Sequence, residues 1–390
     1  MLTISAIKAD VGGVGGHTKP SETMMQAAED RLAGAVDDDL ILDYDVTHTG
    51  DDICLLMTHR HGADEPEIHD FAWSVFEDAT AVAQDEGLYG AGQDLLANAP
   101  SGNVRGAGPG AAEITFDETA EERSAEPFMI FTGDKCGPGA FNFPLYAAFT
   151  SPMYCAGLML PKMRDGFKFT VIDMEYAGGD RVIELNSPEE HVDLAMLLRD
   201  ENRFGILSIH HRKWPDQQVV SVSTDRLHTI AGEYKGKDDP VAVVRCQNIF
   251  PAPEELVSPY TTVPYVAGDA RGSHHMPFMP VSINETVAGP YCLPLVACVT
   301  YSVNQEGQLS ERVDVFGNTA WDEARRKAQQ KADEMRRQGF FGAAMLPTQE
   351  LEYSSFRDTL ERLEGRFERV DSGKPSREPA SVSGGMEDVD

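Results

Sequence analysis

The chain has 390 residues, 41% of them hydrophobic, which is enough for a large core and excludes a disordered chain. Its 33 Lys and Arg stand against 64 Asp and Glu, and the net charge of −31 argues against a nucleic-acid partner. Most of that acidity reads as a solvation shell suited to a salt-rich cytoplasm in a halophilic host, where screening removes the self-repulsion. The six cysteines form no C-x-x-C pair and lie scattered in apolar runs, so reduced, buried thiols and a cytoplasmic protein are expected. No signal peptide is evident, and no apolar run approaches the length of a membrane span.

Leu2 to Asp10 reads as a strand that runs into the glycine-rich turn Gly12-Gly13-Val14-Gly15-Gly16-His17. The spacing is not that of a phosphate-binding P-loop, so the turn matters for the Asp10 and His17 that flank it. A helix follows, with Met24, Ala27, Ala28 and Leu32 on one side. Leu40 to Thr47 and Ile53 to Thr58 read as strands joined by His48-Thr49-Gly50-Asp51-Asp52. A plain hairpin tip explains the Gly-Asp pair. Adjacent aspartates repel, however, so a cation between Asp51 and Asp52 would relieve a cost.

Ile68 to Glu86 has helical spacing at Ala72, Val75, Phe76, Ala79, Val82 and Ala83, with Trp73 and Phe76 expected in the core. Small-residue loops follow, Leu88-Tyr89-Gly90-Ala91-Gly92-Gln93-Asp94 and Ser101-Gly102-Asn103-Val104-Arg105-Gly106. Such loops let backbone N–H groups approach an anion, and they also resemble any irregular connection. Phe128 to Thr132 is a strand ending in Gly133-Asp134-Lys135. Further strands are expected at Phe167 to Met174, Phe204 to Ile209, Val219 to Val222, Val241 to Cys246 and Leu295 to Val303. Helices are expected at Pro188 to Leu198, Thr319 to Gln338 and Phe356 to Phe367. The second of these runs from Asp322 and Glu323 to Arg336 and Arg337, an order that complements the helix dipole and suits a solvated face or subunit contact.

One loop stands apart. Ala231-Gly232-Glu233-Tyr234-Lys235-Gly236-Lys237-Asp238-Asp239-Pro240 sets a lysine directly before two carboxylates. A neutral Lys237 amine could attack a carbonyl and form a Schiff base. Asp238 and Asp239 could hold hard cations. Bare carboxylates beside the ammonium would stabilise its charge and suppress the nucleophile, and a bound cation would weaken that field. A charged, solvated turn is the plainer explanation of these residues taken alone. Arg271-Gly272-Ser273-His274-His275 could clamp a phosphate through the arginine fork. No linker divides the chain, so one continuous domain over residues 1–370 is expected, followed by a disordered acidic tail, 371–390.

From Leu2 to Phe367 the ordered motifs resemble the archaeal-type fructose-1,6-bisphosphate aldolase/phosphatase family. The resemblance rests on Asp10…Gly16-His17-Thr18, Val46-Thr47-His48-Thr49-Gly50-Asp51-Asp52, Leu88 to Leu95, Ser101-Gly102-Asn103 and Asp134-Lys135…Gly139-Ala140-Phe141-Asn142. It continues through Tyr234…Gly236-Lys237-Asp238-Asp239-Pro240, Arg271-Gly272-Ser273-His274 and Glu352-Tyr353. It implies an α/β, four-layer α-β-β-α sandwich that assembles as a homo-octamer. It also implies a bifunctional gluconeogenic enzyme, which condenses dihydroxyacetone phosphate with glyceraldehyde 3-phosphate and then removes the 1-phosphate of the product. By resemblance, Lys237 would form the Schiff base, Tyr234 would move the proton and Asp10 would serve as the hydrolytic base. Asp10, His17, Asp51, Asp52, Gln93, Asp134, Asp238 and Asp239 would ligate several Mg²⁺ ions, with Mn²⁺ chemically acceptable. His17, Tyr89, Gly102, Asn103, Lys135, Gln247, Asn248, Arg271 and Tyr353 would hold the sugar phosphate. The chain departs from the family pattern at His275-Met276 and at Ala288, where the family places Asn-Gly and a sugar-contacting aspartate.

Overall fold

The computed structural model describes residues 1–95, 108–116, 125–176, 180–224, 236–268, 275–286, 293–337 and 356–370. The expected acidic tail, 371–390, lies outside them.

The first sheet holds β1 (Leu2–Asp10), β2 (Asp43–Thr49), β3 (Asp52–His59) and β4 (Gly110–Phe116) in the order β2-β3-β1-β4, all antiparallel. Two helices cover its outer face, α1 (Glu22–Asp37) and α2 (Pro66–Asp85). The Ser21 side chain caps α1 by accepting from the Met24 amide at 3.2 Å.

The second sheet begins with β5 (Ala125–Asp134), β6 (Phe167–Asp173), β7 (Asp180–Asn186), β8 (Phe204–His211), β9 (Gln218–Val222) and β10 (Val241–Arg245). After a short ribbon of β11 (Tyr265–Ala267) and β12 (His275–Pro277), it is completed by β13 (Met279–Pro280), β14 (Leu295–Asn304), β15 (Val313–Asp314) and β16 (Glu368–Val370). The order is β13-β14-β5-β10-β9-β8-β6-β7-β16, with β15 on β14. Its outer face carries α3 (Asn142–Thr150), α4 (His191–Leu198), α5 (Pro253–Val257) and α7 (Phe356–Leu363). The remaining helix, α6 (Asp322–Arg337), buries Ala324, Ala328, Ala332 and Met335 and leaves its charges outside.

Period-two alternation separates three cores. Leu2, Ile4 and Ala6 of β1 pack between the sheets with Cys54 and Leu56 of β3, Phe128 and Ile130 of β5, and Val241 and Val243 of β10. Ile7 and Ala9 of β1 face α1 and α2 instead. Met129 and Phe131 of β5 and Ala242 and Val244 of β10 face the other helical layer. The four layers are therefore helix, sheet, sheet, helix, as the family resemblance implies.

The same alternation places the site. Continued along β1 it puts Lys8 and Asp10 on the inter-sheet face. It does the same for Asp52 on β3 and for Thr132 and Asp134 on β5. Asp10 and Asp52 are direct cross-strand partners. An apolar seam of Ile, Val and Phe thus turns into a charged row at one end of the sandwich.

Among the elements outside the expected pattern, the longest are β4 and β7, hidden by flanking glycines, and α3, whose apolar residues carry no 3.6-residue stripe. Phe76 lies in the core as expected, whereas Trp73 is only half-buried. Its indole N–H donates to Glu77 at 2.9 Å, a polar need that keeps the ring at the helix rim. Cys54, Cys136, Cys155, Cys246 and Cys298 are free and buried, as expected.

Candidate active site

The tip of the β2–β3 hairpin carries Asp51. Segment 284–285 fixes that tip: the His48 amide donates to Asn284 Oδ1 at 2.8 Å and the Gly50 amide to the Glu285 carbonyl at 3.0 Å. Beneath it the Thr49 and Thr132 hydroxyls meet at 2.7 Å, joining the two sheets. Asp51 is fully buried, with His17 Nδ1 2.7 Å from its Oδ2 and Lys135 Nζ donating to its Oδ1 at 2.7 Å. Lys135 also donates to Asp134 at 2.9 Å, and His17 Nδ1 lies 3.4 Å from Asp10 Oδ2. Gly13 is required in the turn, because a Cβ there would sit 2.5 Å from the Gly16 carbonyl and 3.0 Å from Asp51 Cβ.

Lys135 (φ 59°) and Asp239 (φ 48°) both occupy the left-handed backbone region, at a cost of about 1 kcal/mol or more each. A reciprocal clasp holds that geometry. The Asp239 amide donates to the Cys136 carbonyl, and the Cys136 amide donates to Asp239 Oδ1, each at 2.8 Å. Lys8, almost wholly buried, pairs with Asp52 and donates to the Asp239 carbonyl at 2.9 Å.

Lys237 lies in the same buried region, 2% exposed. Its ammonium donates to Asp238 Oδ1 at 2.9 Å and to Asp94 Oδ2 at 3.0 Å. The Asp94 Oδ2 also accepts the Asp10 amide at 2.9 Å. Gln93, in the same single 3-10 turn, is buried beside the His17–Tyr89 pair, whose rings meet edge to face at 5.0 Å.

The aspartates outnumber the cations here, and their acidity reflects it. Burial and repulsion from Asp51 push the Asp10 carboxyl up. Burial takes Asp134 to about 7, against the pull of Lys135. Burial takes Asp94 to about 6, although Lys237 opposes it. Asp239 rises through burial and the charges of Asp52 and Asp238. Asp51 runs the other way: burial would raise it, but Lys135 and His17 bring it below the usual range. Hydrogen bonds to Asp10 and Asp51 lift His17 to about 10. Burial would lower Lys237, yet Asp238 and Asp94 hold it well above its ordinary value, as an ammonium.

Two groupings here have the ligand spacing for a cation, Asp10–His17–Asp51 and Asp51–Asp52–Asp134. The donor set fits a hard divalent ion. A buried oxygen of Asp134 lacks any hydrogen-bond partner, which supports the fit.

Of the expected residues, the fold brings together Asp10, His17, Asp51, Asp52, Tyr89, Gln93, Asp134, Lys135, Lys237, Asp238 and Asp239. Gln247 and Asn248 are exposed beyond the far end of β10, roughly 20 Å along the strand from Asp239. Gly102, Asn103, Tyr234, Arg271, Tyr353 and Ala288 lie outside the described residues. His275 and Met276 open β12, where His275 Nε2 is 2.7 Å from Glu201 and Met276 packs in a small core with Ala332 and Met335. Sequence reasoning missed two members of the cluster, Lys8 and Asp94. Lys8 carried a signal, since it alternates in phase with Leu2, Ile4 and Ala6. Asp94 carried none, because only the fold brings it to Lys237.

A family model described as fructose-1,6-bisphosphatase matches residues 1–368. The protein named fructose-1,6-bisphosphate aldolase/phosphatase from Thermus thermophilus is 51% identical over 367 residues, 94% of this chain and 99% of its own length. The protein of the same name from Cenarchaeum symbiosum is 42% identical and covers 100% of both chains. That from Methanocaldococcus jannaschii is 44% identical over 94% of this chain and 92% of its own.

Proposed function

This chain belongs to the fructose-1,6-bisphosphate aldolase/phosphatase family, and on that premise we propose that it performs both reactions in one pocket. It condenses dihydroxyacetone phosphate with glyceraldehyde 3-phosphate to fructose 1,6-bisphosphate, then hydrolyses the 1-phosphate to give fructose 6-phosphate and phosphate in gluconeogenesis. The observation that carries this reading is the meeting of a buried loop amine, Lys237, with Asp94 and Asp238, in the field of Asp52 and Asp239.

In the condensation, a deprotonated Lys237 amine attacks the ketone carbon, a C–N bond forms, and the carbonyl oxygen leaves as water. Tyr234 takes a proton from the neighbouring hydroxymethyl carbon, which then bonds to the aldehyde carbon of the second triose. The aldehyde oxygen gains a proton, and water frees the sugar from Lys237. In the hydrolysis, Asp10 takes a proton from water as its oxygen attacks phosphorus. The bond from phosphorus to the sugar oxygen breaks, and that oxygen is protonated. The raised pKa of Asp10 makes its carboxylate a stronger proton acceptor than a free aspartate. Lys135 and Arg271 provide positive charge for phosphate, and His17, Tyr89, Gly102, Asn103 and Tyr353 complete the binding set. In the proposed homo-octamer, Gln247 and Asn248 would contact substrate held by a neighbouring copy, since their own cluster is out of reach.

Magnesium ions on Asp10, His17, Asp51, Asp52, Gln93, Asp134, Asp238 and Asp239 would supply charge neutralisation for the phosphate and polarisation of the hydrolytic water. We place the enzyme in the cytoplasm; no helix among the described residues is long and apolar enough to cross a membrane.

A second reading, a sugar phosphatase with an idle lysine, draws on the carboxylates that hold Lys237 as an ammonium. Borohydride trapping with dihydroxyacetone phosphate separates the two. An adduct on Lys237, together with fructose 6-phosphate made from the two trioses, supports the bifunctional enzyme. Phosphate release from fructose 1,6-bisphosphate with no adduct supports the phosphatase alone.

A further inference from the structure

We propose that Asp94 is a positioning residue for the Schiff-base amine, holding Lys237 in place independently of Asp238. The inference rests on the bifunctional reading above. Lys237 has two carboxylate partners of different character. Asp238 is its chain neighbour and belongs to the set expected to bind cations, so its oxygens serve two masters. Asp94 is set by the scaffold. Its 3-10 turn is fixed by the Gly92 amide donating to the Val11 carbonyl and the Leu95 amide to the Gly92 carbonyl, both at 3.0 Å. One oxygen, Oδ2, takes both the Asp10 amide and the Lys237 ammonium. The residue that would serve hydrolysis and the one that would serve condensation are therefore tied through a single atom.

The stem of Lys237 has no slack on its other side. A Cβ on Gly110 would sit 2.8 Å from Lys237 Cγ and 2.9 Å from Ser223 Oγ. The Lys237 amide donates to the Thr224 carbonyl at 3.1 Å. With the stem boxed in, the nitrogen's place depends on what receives its hydrogen bonds. Asp94 has its other oxygen, Oδ1, buried without a hydrogen-bond partner. A carboxylate kept in that condition for packing alone would be a poor choice over an apolar residue, whereas a lysine anchor needs it.

The test is the rate of borohydride-trapped adduct formation on Lys237 in the full-length, magnesium-supplemented protein, followed by mass spectrometry against dihydroxyacetone phosphate concentration. Asp94→Ala should slow trapping at saturation by about 100-fold, the scale of a misplaced reacting group and more than the gain in neutral amine from losing one carboxylate, with half-saturation within about threefold of wild type. Asp94→Asn should recover part of the rate, because its amide oxygen still accepts from Asp10 and Lys237. Thermal midpoints are recorded for both. Trapping in Asp94→Asn and Asp94→Ala that stays within threefold of wild type overturns the inference. So does a loss that tracks a fall in thermal midpoint equally in both variants. If Asp94→Ala does not fold, Asp94→Asn decides alone: slowed trapping in a folded protein supports the anchor, and an unchanged rate refutes it. Absence of any adduct in the wild type would instead sink the bifunctional reading on which the inference stands.

Discussion

Among the described residues, two clusters of carboxylate and imidazole have ligand-like spacing, and they are built on opposite principles. One is the strand-end site around Asp51 and Asp134. The other joins Asp64, His69 and Glu113 on the helix-facing side of the first sheet. In the second cluster Glu113 is saturated. It accepts from Ser5, lies 3.1 Å from His69 Nε2, and accepts the Asp64 amide at 2.7 Å. Ser5 Oγ also meets His59 Nε2 at 2.7 Å. Burial would raise the Glu113 carboxyl, but His69, Ser5 and the Asp64 amide bring it below the usual range. The strand-end cluster is the reverse. Its carboxylates outnumber its lysines, several are pushed up, and buried oxygens of Asp94 and Asp134 have no partner. Ligand spacing alone does not mark a cation site; unsatisfied charge does.

The sharpest division is between amine and carboxylates within the strand-end cluster. Lys237→Ala should lower triose condensation by at least about 10⁴-fold, as loss of a covalent nucleophile does, while phosphate release from fructose 1,6-bisphosphate stays measurable. Equal loss of both activities would show that the two steps are not divided as proposed.

A crossed pair of substitutions sets the clusters directly against each other. Asp134→Asn should cut phosphate release by about 100-fold, at or beyond the loss of an outer-shell partner. It should leave the chelated protein no less stable, since it removes a buried carboxyl raised to about 7. Glu113→Gln should behave the other way, with activity near wild type and about 2 kcal/mol of stability lost, because three donors lose their charged acceptor. Denaturant unfolding beside a phosphate assay reads both. If Glu113→Gln were the one to silence hydrolysis, the clusters have been assigned the wrong way round.

A pH effect tests whether the Glu113 network is closed. Burial pushes the His59 imidazole down to about 4, from 6.5. The unfolded chain therefore takes up a proton first as pH falls. Stability is complete above about 6.5 and declines as pH drops from there to about 4, by up to about 3 kcal/mol. His59→Gln should remove that part of the slope, read as the wild-type minus variant difference in unfolding free energy at pH 7 and pH 5. An identical pH dependence in both proteins would mean His59 is not held neutral.

Much of this was legible in the chain, for reasons that differ by residue. Asp10, Asp51, Asp134 and Lys237 announce themselves because each borders a glycine turn at or near a strand end, where polar groups can gather without breaking a ladder. Lys8 could have been read from its phase in β1. Its inward place looks wrong for a lysine until Asp52 and the Asp239 carbonyl are brought to it by pairing. Asp94 could not have been read, since its partner is 143 residues away. The placement of Gln247 and Asn248, by contrast, could have been read, because the strand expected at Val241 to Cys246 separates them from Asp238 and Asp239. β4 looked like loop because glycines and a proline precede it, yet register with β1 makes it the edge of the first sheet.

The proposed function depends on a shortage of positive charge at the strand ends that divalent ions would make good. It is tested most directly by stripping the protein with EDTA and following phosphate release from fructose 1,6-bisphosphate as Mg²⁺ is returned. A fall of at least about 100-fold on stripping, restored saturably by Mg²⁺, is the predicted result. A stripped protein that hydrolyses at its full rate would contradict it.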